Sequence, residues 1–379
     1  MLVIADDKIP FLKGVLEPFT DIEYYPGERI TPDRIRHADA LLVRTRTKCD
    51  NRLLENTDVK FIATATIGFD HIDTAYCQQR GITWTNAPGC NAASVNQYIA
   101  SALISCARKR DFKLKDRVLG VVGIGNVGKK VVRTAELLNM RVYLNDPPRQ
   151  RNEKICGFLS LDSIIRECDI ITFHVPLSFE GPDKTYHMVN ESMLSGLNRG
   201  TILINTSRGE VVDTAALKKA RREGKVADLV LDVWEDEPEI DRELLSLTTL
   251  ATPHIAGYSA DGKAKGTAMA VQALSRFFKL GIEDWEPEDI PLPEHTEIML
   301  DCKDRDAESL LGEAILATYR VEADDNRLRA SVETFEKQRG NYPLRREFPA
   351  FTIRLKNEHS GIRQQLMKMG FRVEESFKI

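Results

Sequence analysis

The sequence predicts an α/β protein made of two doubly wound lobes and a small C-terminal α+β domain. Three observations lead there. Short apolar runs alternate with amphipathic segments long enough to serve as crossover helices. That series begins at Leu2 and begins again at Arg117. A stretch rich in proline and acidic residues, 281–294, then separates off the last part of the chain.

Taken in order, residues 2–5, 40–43, 61–64 and 83–86 read as strands of the first lobe. Residues 94–109 read as a long helix, because Val95, Ile99, Leu103 and Ala107 fall on one face, with Ser94 as its N-cap. Strands of the second lobe are expected at 118–122, 141–145, 169–173, 201–205 and 226–231, with a short one at 249–251 and helices near Val127, Leu161, Glu191 and Thr214. Near-continuous apolar strands suit a parallel sheet covered on both faces. Residues 259–279 read as another long helix. In the tail, helices are expected at 307–319 and 360–369 and strands at 352–355 and 371–373.

Composition narrows the partners. The chain of 379 residues is 42% hydrophobic and 29% charged, as folded globular proteins are, and is long enough for two or three domains. Lysine plus arginine is 53 against 57 aspartate plus glutamate, a net charge of -4 with no basic block, so no nucleic-acid partner is expected. There is no apolar run of about 18 residues to span a membrane. Asp6 and Asp7 interrupt the N-terminus before a signal-peptide core could form. The seven cysteines (Cys49, Cys77, Cys90, Cys106, Cys156, Cys168 and Cys302) are scattered and contain no CxxC pair. Reduced thiols in a cytoplasmic protein are expected, without a disulfide framework or a metal site.

The first chemical signal is Gly123-Ile-Gly125-Asn126-Val127-Gly128, directly after the strand at 118–122. Such a motif arises by chance in glycine-rich turns, but a strand before it, a helix after it and Asp146 at the end of the next strand point to a dinucleotide site. Gly123 permits the tight turn, Gly125 admits the pyrophosphate to the backbone, and Gly128 lets helix pack on strand. The helix N-terminus offers oriented N–H groups to the phosphates. A ribose-binding Asp146 would repel a 2′-phosphate and so favours NAD over NADP, Arg149 notwithstanding; the plainer reading of Asp146 is a helix cap.

Three residues further on form a catalytic set. Arg208 follows the strand at 201–205, and its planar fork suits a carboxylate, although alone it reads as a surface ion-pair arginine. His254 lies in Ala251-Thr-Pro-His-Ile-Ala-Gly257 and exchanges protons near neutral pH, although a lone histidine is usually structural. Glu237 follows the strand at 226–231; beside His254 it would orient the ring, and otherwise it belongs to a solvated acidic loop.

With these motifs the chain resembles the D-isomer-specific 2-hydroxyacid dehydrogenase family over residues 1–280. The resemblance rests on the Gly123–Gly128 motif, His174-Val-Pro-Leu177, Asn205-Thr-Ser-Arg-Gly-Glu-Val-Val-Asp213, Asp232-Val-Trp-Glu-Asp-Glu-Pro238 and Thr252-Pro-His-Ile-Ala-Gly257. It implies Arg208 as carboxylate anchor, His254 as acid/base and Glu237 as its partner. It also implies cofactor contacts from Gly123, Gly125, Asn126, Val127, Gly128, Asp146, Val175, Thr206, Ser207, Arg208, Asp232 and Gly257. The implied lobes are a flavodoxin-like substrate lobe (1–93 with 257–282), a Rossmann NAD-binding lobe (94–256) and a dimerisation domain (283–379).

Segments 44–48 and 63–68 resemble members acting on phosphorylated substrates, and segment 87–92 with the tail after the linker resembles one such member in particular, which makes Thr45, Thr66 and Tyr258 substrate contacts. The substrate so implied is 4-phospho-D-erythronate, with 3-phosphoglycerate or another D-2-hydroxy acid as the alternative. Arg44, Arg46 and Lys48 would balance the phosphate, as would Arg345 and Arg346 of a homodimer partner, unless these are solvated surface cations. A different class stays open, an NADH-responsive co-repressor scaffold.

Overall fold

The computed structural model describes residues 1–154, 157–358 and 361–374. Cys156, and Ser360 at the expected start of the last helix, lie outside the described residues. By its contacts the chain divides into two compact units, Met1–Asn91 with Ser259–Pro291, and Ala92–Tyr258 with Leu292–Ile379.

The first unit holds β1 (Leu2–Asp6), β2 (Asp21–Tyr25), β3 (Ala40–Val43), β4 (Phe61–Thr64) and β5 (Thr83–Thr85), all parallel, in the order β2-β1-β3-β4-β5. The order reverses between β1 and β3, the flavodoxin-like switch point at whose carboxyl side ligands bind. Strand β2 was not among the expected elements: it lies at the sheet edge, where its sequence DIEYY needs no continuous apolar face. The helix Ala260–Phe278 is capped by the Ser259 hydroxyl, which accepts from Gly262 N at 2.8 Å, and ends on Lys279 in the left-handed region. Its Val271 and Leu274 pack with Phe61 and Ala63 of β4.

The second unit holds β6 (Val118–Val122), β7 (Arg141–Asn145), β8 (Ile170–Phe173), β9 (Thr201–Asn205), β10 (Val226–Leu231) and β11 (Leu250–Ala251), parallel in the order β11-β10-β9-β8-β6-β7. The reversal falls between β6 and β8, again the ligand-binding position.

The long helix runs Ala92–Arg110, and this corrects the expected start at Ser94: Ser94 is fully buried inside the helix and caps nothing. The helix is buried on nearly every side, so its apolar stripe does not mark its ends.

The tail contributes a second parallel sheet of this unit, β12 (Glu297–Asp301), β13 (Thr352–Lys356) and β14 (Arg372–Glu374). Its helices are Ala307–Thr318, Val321–Ala330, Phe335–Gly340 and Ile362–Met369. Residues 292–379 share one core with 92–258: Leu310, Leu311 and Ile315 pack in the same cluster as Leu103 and Ile104. A side chain at Gly312 would crowd Ile104 at 3.3 Å.

This packing also corrects the reading of Arg345 and Arg346 as surface or partner-delivered cations, since they are 5% and 9% exposed. Arg345 donates to Gln97 Oε1 at 2.9 Å and to Ser94 O, and its guanidinium lies 3.9 Å from the Tyr319 ring centroid. Among the described residues no helix is long and apolar enough to cross a membrane.

Candidate active site

The chain leaves β6 through Gly123, whose φ of +91° lies in the region that glycine tolerates best. A Cβ there would stand 2.5 Å from His174 O. Gly128 is tighter still, with Gly123 O 2.1 Å from where its Cβ would be. Gly125, the residue before the helix Asn126–Leu137, has open space where a Cβ would go, and Gly125 and Asn126 are exposed while Val127 is half-buried. The turn therefore closes on itself at two glycines and opens to a ligand at the third. The helix carries no acidic residue in its first turn to oppose an anion.

Asp146 directly follows β7 and does two jobs at once. Its Oδ2 accepts from Ile124 N at 2.8 Å, which ties the glycine turn to β7, and its Oδ1 accepts from Arg149 N at 3.0 Å as N-cap of the helix Pro147–Glu153. The capping reading is therefore real, and it coexists with the position at the end of the strand. Arg149 is turned to Glu153 and to Ile124 O.

Arg208, Glu237 and His254 follow the adjacent strands β9, β10 and β11. Asn205 presents the first of these loops: its Oδ1 accepts from Ser207 N (3.0 Å) and Ser207 Oγ (2.7 Å), and its Nδ2 donates to Arg208 O (2.9 Å). Arg208 Nη1 donates to Ser207 O at 2.8 Å. Gly209 then lies directly on the next loop, where its Cβ would come within 2.0 Å of the Trp234 carbonyl. The Arg208 turn and the Glu237 loop are thus in backbone contact. The neighbouring Thr206 Oγ1 is buried and has no partner among the described residues.

Glu237 Oε1 accepts from Trp234 N at 2.9 Å, and its Oε2 meets His254 Nδ1 at 2.8 Å. Burial pushes the Glu237 carboxyl up, but the bond and charge of His254, the Trp234 N–H and the charge of Arg339 outweigh it and hold it below the ordinary value. Glu237 is therefore ionised at neutral pH.

His254 has φ +56°, an uncommon backbone state that surrounding structure must enforce. Asp232 does so. It is 1% exposed; its backbone O accepts from His254 N at 2.7 Å, its Oδ1 from Ile255 N and Thr252 Oγ1, and its Oδ2 from Ala256 N. Thr252 is held further by Tyr98 and by Trp234 Nε1. Gly257 follows in the same turn, and Val175 lies after β8, beside Gly123.

The expected substrate contacts fall in both units. Thr45 is exposed in the turn after β3, and Thr66 lies two residues after β4 with its hydroxyl bonded to Thr64 Oγ1 (2.8 Å) and Gly68 O (2.9 Å). Arg44 is engaged by the fully buried Asp6 through two N–H donors at 3.2 and 3.3 Å. Tyr258 belongs to the second unit, where its ring meets Tyr342 edge-on at 5.8 Å. Sequence reasoning gave Asn205 and Trp234 no part, although both stand inside the motifs it used.

Residues 93–256 match the family described as D-isomer specific 2-hydroxyacid dehydrogenase, NAD binding domain, and residues 290–370 match a domain of unknown function. The erythronate-4-phosphate dehydrogenase of Bacteroides fragilis is 50% identical over 93% of this chain and 99% of its own length. That of Pseudomonas putida is 39% identical over 98% and 99%. Among solved structures, D-lactate dehydrogenase from Aquifex aeolicus complexed with NAD and lactic acid is 28% identical, with a TM-score of 0.63 over 74% of this chain and 96% of that one. The glycine turn, Asp146 and the unpartnered Thr206 hydroxyl fit the dinucleotide that this family binds. With relatives this similar over nearly their whole length, the chain belongs to the erythronate-4-phosphate dehydrogenase family of D-isomer-specific 2-hydroxyacid dehydrogenases.

Proposed function

We propose that this chain oxidises the C2 hydroxyl of 4-phospho-D-erythronate to the 2-oxo acid with NAD, in the synthesis of pyridoxal 5′-phosphate. The observation that carries the reading is the Glu237–His254 pair, set beside the Arg208 turn on three adjacent strand ends. NAD, when bound, accepts the hydride that leaves C2.

The chain's own residues do the rest. Arg208 holds the substrate carboxylate through its planar fork and fixes C2. His254 takes the hydroxyl proton at Nε2 as the C–H bond breaks, since Nδ1 is committed to Glu237. Ionised Glu237 keeps the ring in that orientation and balances the charge it gains. The turn Gly123 to Gly128, with Asn126 and Val127, receives the pyrophosphate, and Asp146 receives the adenosine ribose. Val175, Thr206, Ser207, Asp232 and Gly257 complete the cofactor contacts, while Thr45, Thr66 and Tyr258 meet the substrate.

The exposed Leu292, Met299, Leu344 and Met367 support a homodimer formed through the tail. The six cysteines among the described residues, all buried and free, support a cytoplasmic location.

The test is turnover. The purified protein is given NAD with 4-phospho-D-erythronate and then with 3-phosphoglycerate, with a 2-oxo acid present in a parallel series to recycle retained NADH. Oxidation confined to the four-carbon phosphate supports the reading. Preference for 3-phosphoglycerate keeps the mechanism and changes the substrate. Tight NADH binding without turnover of either favours the co-repressor scaffold.

A further inference from the structure

The tail brings an arginine to the wall of the proposed site. Arg339 lies in the helix Phe335–Gly340, and its guanidinium stands 5.9 Å from the ring centroid of Tyr258. Tyr342 packs edge-on against the same ring and is itself fixed by donation from its hydroxyl to Asp324 Oδ2 at 2.6 Å. Asp324 is 2% exposed, so this support is anchored in the core. The charge of Arg339 also reaches Glu237. Arg339 therefore lies against Tyr258, whose backbone N–H closes the turn after His254 on Ile255 O, within the same unit.

Its bonding is incomplete. The side chain is 19% exposed, Nη1 donates to Glu336 Oε1 at 2.7 Å, and Nε is buried with no partner among the described residues. Folded proteins leave few buried donors unpaired, and an absent anion is one reason for an exception. The neighbouring tail arginines Arg345 and Arg327 are already committed, Arg345 to Gln97, Ser94 and Tyr319 and Arg327 to Asp324.

We propose that Arg339 is a specificity-determining residue that meets the phosphate of a phosphorylated 2-hydroxy acid whose carboxylate lies on Arg208. This rests on the function proposed above. Such a substrate is anionic at both ends, and a second planar guanidinium offers paired donors to phosphate oxygens. The tail then has a part in choosing the substrate, which accounts for its folding against the lobe that carries His254.

The test compares R339Q and R339K with the unchanged enzyme on 4-phospho-D-erythronate and on D-erythronate, with thermal midpoint and NADH binding as folding controls. For R339Q, kcat/KM on the phosphorylated acid falls roughly 10- to 100-fold, mainly through KM. On D-erythronate, where only the loss of the Arg339 charge near Glu237 is felt, it falls less, so the ratio of the two values drops roughly tenfold or more. R339K falls between, because an ammonium keeps the charge and loses the fork. Equal loss on both acids, or loss on neither, overturns the proposal. If R339Q does not fold, the same ratio for R339K decides.

If the unchanged enzyme oxidises neither acid, the proposed function fails, and inorganic phosphate then tests Arg339 separately. Calorimetry on the NADH complex must find phosphate binding that R339K weakens roughly tenfold. Absent or unaltered binding overturns the proposal.

Discussion

Glu237 Oε2 lies 2.8 Å from His254 Nδ1, and the other oxygen of the same carboxylate is held by the Trp234 N–H at 2.9 Å. A carboxylate fixed at both oxygens cannot follow the imidazole if the ring turns, so it sets the ring plane and leaves Nε2 for the substrate. H254A should therefore lower kcat by roughly 10²- to 10⁴-fold with NADH affinity nearly unchanged. E237Q keeps the shape of the contact but removes the charge that balances a protonated ring, and should cost roughly 10²-fold or more. Steady-state turnover alongside NADH titration separates the two effects. Unchanged turnover in H254A would remove the histidine from the reaction.

Asp146 combines a structural and a proposed recognition role in one carboxylate, and two substitutions pull them apart. D146N retains one oxygen, which keeps most of the helix cap from the Arg149 N–H at the expense of the bond from Ile124 N, while the lost charge relaxes discrimination against the 2′-phosphate of NADP. D146A loses the cap as well and should cost about 1 kcal/mol of stability. Cofactor preference from kcat/KM with NAD and NADP, beside denaturant unfolding, measures both. If D146N discriminates as sharply as the unchanged enzyme, the aspartate serves the fold alone.

The sheets were legible in sequence where a strand is a nearly unbroken apolar run: β6, β9 and β10 coincide with the expected runs, and so does the edge strand β7. The edge strands β2 (DIEYY) and β12 (EIMLD) were missed, since acidic residues interrupt or flank their short apolar stretches. Arg208, Glu237 and His254 could be read because each sits just after a strand in a fixed motif. Arg345 could not, because a buried arginine is rare and its partners Ser94 and Gln97 lie far away in the chain. Arg339 was invisible for the same reason: its nearness to Tyr258 exists only once the tail has packed.

Gly128 tests the nucleotide turn without touching the reacting groups. The Cβ introduced by G128A would lie 2.1 Å from Gly123 O, a backbone atom that cannot swing away as a side chain could. Relief requires the helix Asn126–Leu137 to move off β6, taking its N-terminus out of place. NADH affinity should fall by roughly tenfold or more, with a lower thermal midpoint from an overpacking cost of about 1–3 kcal/mol. Alanine at Gly125, where a Cβ meets open space within the protein, is the paired control: it should leave stability alone and weaken NADH only. Normal NADH binding in G128A would mean that the turn does not hold the pyrophosphate.

His71 gives the first unit a pH dependence of its own. Its Nε2 lies 3.1 Å from Thr64 Oγ1, which also meets the Thr66 hydroxyl. Burial lowers its pKa from 6.5 to about 4, with Asp70 opposing only in part. In the fold His71 is neutral across the range in which the unfolded chain takes up a proton. Between pH 6.5 and 4 the unfolded state thus binds more protons, and stability falls as pH falls, by up to about 1.4 kcal/mol per unit. The contribution is complete above 6.5 and does not change below 4. Urea unfolding of the unchanged chain and of H71Q at pH 7.5 and pH 5.0 isolates it. The unchanged chain should lose about 1–2 kcal/mol more than the variant over that interval. Equal losses would mean that water reaches the imidazole and that it titrates in the fold as it does in the unfolded chain.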